Sequence, residues 1–219
     1  MSRETFINDV RRAVRMARQP ASVRSDIWLT PRVVANFREN DFQDVDPGLL
    51  HNLARAVEQF RSAASRASSN GPSSDEQYQE GLQSLNQLEA AVHDIVAPEW
   101  THAVHGMVDA VETWAKEQHW HVRRDSKMVT DTLLGTYPLP RLTIRTADHQ
   151  FILEPITRFA PGSSGVVDIL SVPSLHSVPV TRDEKNQWRL WIPENSSQRQ
   201  PFDSRTFIRT LASLGQKEE

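Results

Sequence analysis

The spacing of apolar residues changes near Tyr137 of this 219-residue chain from a helical repeat to the alternation of a strand, and turns helical again only in one short closing segment. Helical spacing puts apolar side chains on one stripe, and alternation puts them on one face of a sheet. A chain that uses first one and then the other must build a helical layer followed by a sheet, an α+β arrangement.

Upstream of the switch the helical stripes are explicit. Phe6, Val10, Ala13, Val14 and Ala17 predict a helix over residues 3–18, with Ser2 as a cap and Pro20 as its stop. Thr30-Pro31 reads as N-cap and first helical residue of a short helix over about 31–38, burying Val33, Val34 and Phe37 beside an anchoring Trp28. Asp46-Pro47 repeats that start signal. Leu49, Leu50, Leu53, Val57, Phe60 and Ala64 then mark a helix running to about Ala67. The string SSNGPSSD is a loop, and Ser74 with Gln77 has capping-box spacing for the next helix. Leu82, Leu85, Leu88, Val92, Ile95 and Val96 form its stripe until Pro98, where a fifth helix is expected to begin and run to about Gln118.

Residues 121–135 fit either a strand or a helical turn. Beyond them Leu142–Ile144 and Phe151–Leu153 flank ADHQ, a hairpin loop. Val166–Val172, Ser177–Thr181 and 187–192 continue the meander through APGSSG and DEKN. Pro155, Pro173 and Pro179 lack an N–H for the ladder and so mark bulges, strand ends or edges. Phe202, Phe207, Ile208, Leu211 and Leu214 predict a closing helix capped by Asp203 or Ser204. The expected fold is α+β: an amphipathic helical bundle over 1–120, then over 121–219 a mainly antiparallel twisted sheet of four to five strands with a C-terminal helix. The rhythm Leu134-Gly-x-Tyr-Pro, Glu154-Pro-Ile-x-Arg, Gly165-x-Val-Asp resembles, generically, sheet cores of bacterial proteins and points to no named family.

Composition narrows the function classes. With no cysteine, the chain has no disulfide, thiolate nucleophile, iron–sulfur cluster or cysteine-bound zinc. A net charge of −3 gives no global field for nucleic acid or an anionic membrane. The charged N-terminus lacks a signal-peptide core and no window holds 18 consecutive apolar residues, so a cytoplasmic protein is expected. No Gly-x-Ser-x-Gly elbow and no Gly-rich phosphate loop occurs.

Four sets of residues are candidates for function. Asp168 interrupts the apolar run Gly165-Val-Val-Asp-Ile-Leu; with Glu154 on an earlier strand it is the candidate catalytic pair, in outline like the Mg²⁺-binding acids of PD-(D/E)xK nucleases. The Glu-x-Lys part of that motif is missing, and pairing of Asp168 with Arg158 or Arg182 is the structural alternative. Arg11, Arg12, Arg15 and Arg18 on the first helix could meet phosphate, or form a solvated face. His102, His105 and Asp109 share a stripe with Glu112 that could hold zinc, although Val104, Val108, Val111 and Ala115 make the opposite side the buried one. Trp188 and Trp191 fall on opposite faces of one strand, so one of them is available to a partner.

These observations favour a non-catalytic bacterial protein-interaction or accessory module, requiring no cofactor and binding another protein or its own copy. The alternative is a nucleic-acid-binding protein with a degenerate or divergent Mg²⁺-dependent nuclease-like module.

Overall fold

The computed structural model describes residues 3–19, 26–69, 74–191 and 199–216. It is α+β, with a long helical region, an antiparallel sheet of seven strands and a C-terminal helix. Ser2, Pro20, Ile192 and the centre of the SSNGPSSD loop lie outside the described residues. The chain forms two compact units: Met1–Pro98 with Thr132–Gly135, and Glu99–Asp131 with Thr136–Glu219.

The first unit is built from α1 (Arg3–Ala17), three short 3-10 turns, α2 (Pro47–Ser69) and the leading part of α3 (Asp75–Glu117). The predicted stripe of α1 is buried at Phe6, Val10, Ala13 and Val14. Phe6, Phe37 and Phe42 form an aromatic cluster with ring centroids 5.3–5.9 Å apart. The helix expected over 31–38 is only a 3-10 turn, Pro31–Val34, although Thr30 does cap it. Asp46 accepts hydrogen bonds from the Gly48 and Leu49 amides at the start of α2. Ser74 and Gln77 exchange both bonds of a capping box at the start of α3.

Pro98 does not end a helix. α3, 43 residues long in all, runs straight through it, so the expected fourth and fifth helices are one. Proline removes one intrahelical hydrogen bond. Burial keeps the helix going on both sides: Val92 and Val96 before it, Trp100 and Val104 after it, are all at most 1% exposed.

The second unit sets the last part of α3 and helix α4 (Ser204–Gln216) with the sheet. The strands run in sequence order: β1 (His121–Asp131), β2 (Gly135–Arg145), β3 (Gln150–Thr157), β4 (Val166–Val172), β5 (Ser177–Arg182), β6 (Trp188–Leu190) and β7 (Gln200–Pro201). Seven strands exceed the expected four to five, because the ambiguous 121–135 stretch supplies β1 and the start of β2, and Gln200–Pro201 adds an edge. Pro155 marks the expected irregularity, a register shift between β3 and β4. ADHQ closes the β2–β3 hairpin, with the Thr146 amide donating to the His149 carbonyl.

Alternation sorts the two faces. Phe151, Leu153, Val167, Ile169 and Val180 are buried. Their neighbours Ile152, Glu154, Asp168, Leu170 and Thr181 are half-exposed. The helices supply Val104, Val108, Val111, Phe207 and Leu211 to the core. Asp203 caps α4 by accepting from the Thr206 amide, and that bond holds its carboxyl below the usual range. Among the described residues no helix is long and apolar enough to cross a membrane.

Candidate functional site

Two features of the second unit carry chemistry: a charge network on the half-exposed sheet face and a groove beside α3.

The network begins with Glu154 and Asp168, which are direct register partners on β3 and β4. Strand alternation therefore sets both carboxylates on the same face. Asp168 is half-buried; burial raises its pKa, the nearby Glu154 carboxylate raises it further, and Lys127 opposes both. Lys127 Nζ lies 3.2 Å from Glu154 Oε1, and Arg141 Nη1 lies 4.0 Å from Glu154 Oε2. Arg141 in turn donates to Asp125 through Nε at 2.8 Å and Nη2 at 3.1 Å. That fork holds the Asp125 carboxyl below its usual range. The structure thus brings the candidate catalytic pair together and gives Glu154 two cations. Neither arginine considered as a partner for Asp168 serves it: Arg182 is paired to Glu99, and Arg158 is buried with its guanidinium over the Phe159 ring.

The histidine stripe stays on one face of α3, but its side chains are engaged separately. His105 donates from Nδ1 to the Thr101 carbonyl at 2.8 Å, and Asp109 is ion-paired to Arg124. His102, one turn before His105, is exposed. Among the described residues no group of three or more His, Asp or Glu side chains is placed to hold a metal ion. The expected opposite side of the helix is buried, with Val104, Val108, Val111 and Ala115 fully inaccessible.

The arginines of α1 are partly engaged. Arg18 forks onto Glu89 with two 2.8 Å bonds and also donates to the Thr132 carbonyl. Glu89 is still pushed upward by its burial, against the pull of Arg18. Arg12 and Arg15 are exposed, and Arg11 is half-exposed.

The groove was not legible in advance. Ala103, Gly106 and Ala110 lie at helical spacing on α3 and make its small-residue floor; Met107, Trp114, Trp188 and Phe202 supply its apolar walls. Its volume is about 430 Å³. Trp114 packs edge-on to Phe202 at 5.6 Å, and Trp188 lies 6.0 Å from the fully buried Trp100. At one end Arg182 donates to Glu99 at 3.0 Å. His102 and Asn186 complete the rim. Of the two candidate tryptophans, Trp188 therefore lines the groove, whereas Trp191 is 43% exposed just beyond β6.

Gly106 is the unexpected residue. A Cβ built there meets nothing within 4 Å, so no neighbouring atom requires glycine. Glycine inside a helix costs about 1 kcal/mol relative to alanine. Gly106 is exposed and lies in the groove lining. A glycine in mid-helix was the one sequence signal that could have pointed to this site.

No family model matches the chain, and no curated protein or solved structure is significantly similar to it.

Proposed function

We propose that this chain is a protein-interaction module, and that its second unit holds a segment of another protein in the groove along α3. The observation that carries this reading is Gly106, which leaves the floor open where a side chain would be accommodated and would stabilise the helix. Aromatic and methionine walls around a polar rim suit an inserted aromatic or branched side chain, the anchor type that dominates interface energetics. The Glu99–Arg182 pair at one end offers both an acceptor and donors to the backbone of the incoming segment. Absence of a triad or phosphate loop in the sequence fits a module that recognises rather than transforms.

The experiment is selection of a displayed random-peptide library on the wild-type protein and on Gly106→Glu. A Cβ at the exposed Gly106 meets no neighbouring atom, so the variant is expected to keep its fold, checked by a thermal melt, while setting a charge in the groove lining. The reading expects peptides carrying an aromatic or branched anchor to enrich on the wild type alone. Equal enrichment on both proteins, or none, contradicts it.

A second reading, the nuclease-like one, is favoured by the Glu154–Asp168 register pair with Lys127 beside it. Magnesium binds through one or two carboxylates together with substrate phosphates. Against this, Glu154 already has two cationic neighbours, so a divalent ion must compete with them. Cleavage of DNA or RNA that requires Mg²⁺ and is lost in Asp168→Asn would establish it; no cleavage removes it.

A further inference from the structure

On the half-exposed face of β1–β3 there is a pocket of about 210 Å³ whose lining includes Arg123, Arg141, Arg145, Thr143 and Gln150. We propose that this pocket binds a phosphate monoester. It is separate from the groove along α3, shares no lining residue with it, and does not depend on the interaction-module reading.

Charge is the first argument. Three arginines line the pocket, Arg141 half-exposed and Arg123 and Arg145 exposed. The carboxylate that meets them is Asp125, 2.8 Å from Arg141 Nε and 3.6 Å from Arg123 Nη2. Of these three arginines Glu154 reaches Arg141, at 4.0 Å, and it is paired more closely with Lys127 at 3.2 Å. Cationic charge is thus in excess in a concave site, a situation that a bound dianion relieves.

Preorganisation is the second. The Asp125 fork fixes the plane of Arg141. Arg145 donates through Nε to Gln150 Oε1 at 2.9 Å, which orients the rest of its guanidinium. Planar guanidinium groups bind tetrahedral oxyanions through paired N–H donors, and groups already oriented lose less freedom on binding. Thr143 contributes a hydroxyl at the same site.

The third argument is size. A phosphate group occupies only part of such a volume, so there is room for the first atoms of an esterified group. Ile152, half-exposed at the wall, offers those atoms an apolar contact. The chemistry recognised is the phosphate itself, which could come free or attached to a larger molecule.

The test is calorimetric titration of the full chain with inorganic phosphate and, separately, with a nucleoside 5′-monophosphate. It is repeated on Arg145→Ala, Arg145→Lys, Arg123→Ala and the control Arg55→Ala, an exposed arginine of α2, each with a thermal melt to verify folding. The proposal expects saturable binding to the wild type and a loss of about tenfold or more in each alanine variant of the pocket, the scale set by charge-assisted bonds. Arg145→Lys should recover only part of that loss, because a point charge replaces a fork. Tighter binding of the monophosphate identifies an esterified ligand; equal binding identifies the free ion. No measurable heat with either anion overturns the proposal. So does an equal loss in Arg55→Ala, which would mean general attraction to positive charge.

Discussion

Arg182 and Glu99 meet at 3.0 Å, with the arginine side chain 7% exposed and the glutamate 23% exposed. The pair joins β5 to the first turn of α3 past Pro98 and closes one end of the groove. Breaking a buried pair leaves the remaining charge uncompensated, which costs more than the pair itself contributes. Glu99→Gln should therefore destabilise the protein by roughly 2–3 kcal/mol, the partial exposure of Glu99 placing it below the range for fully buried pairs. The denaturant midpoint should fall without a change in slope. An unchanged midpoint would show that water already serves Arg182.

Gly165 is a second fixed point. Its φ is +145°, and a Cβ there would stand 2.2 Å from the Trp100 ring, which is fully buried. Backbone strain and overpacking then act together, so Gly165→Ala should cost about 3 kcal/mol or more. The thermal midpoint checks this. A variant as stable as the wild type would mean that the Trp100 ring can shift.

The carboxylate pair makes stability depend on pH. The folded-state pKa of Asp168 is raised, so the folded protein keeps this proton over a range in which the unfolded chain has lost it. The contribution is complete below the ordinary aspartate pKa and is lost as pH rises through the raised folded value. Asp168→Asn should therefore be more stable than the wild type at neutral pH, with the advantage vanishing in acid. Denaturant unfolding at both pH values measures it. No gain at neutral pH would contradict the unfavourable environment assigned to Asp168.

Local signals were the legible part of the fold. Asp46, the Ser74–Gln77 box and Asp203 all cap the helices that the sequence placed after them, because capping depends on residues a few positions apart. The strand expected over 166–172 likewise forms as β4, with burial alternating along it. Two features were hidden. Pro98 reads as a breaker, but tertiary burial of Trp100 and Val104 outweighs one lost hydrogen bond. β1, beginning His-Val-Arg-Arg-Asp-Ser-Lys, has little apolar alternation. Its half-exposed face instead carries charges answered by other strands, Asp125 by Arg141 and Lys127 by Glu154.

The sites follow the same rule. Asp168 stood out in sequence because a carboxylate broke an apolar run, and Glu154 is its register partner. The groove did not stand out, since its floor comes from residues 103–110 and its walls include Trp188 and Phe202, some eighty or more positions later. Alternation set Trp188 and Trp191 on opposite faces, with at most one in the core; Trp188 is half-exposed and Trp191 exposed. It could not show that Trp188 faces a floor of glycine and alanine.

The most direct test of the groove is the NMR spectrum of the tryptophan indole N–H groups during titration with N-acetyl-leucinamide and N-acetyl-tryptophanamide. The account predicts that the signals of Trp114 and Trp188 shift on addition, that Trp28 in the other unit does not respond, and that Gly106→Glu abolishes the shifts. Unmoved Trp114 and Trp188 signals, or shifts that persist in Gly106→Glu, would contradict it.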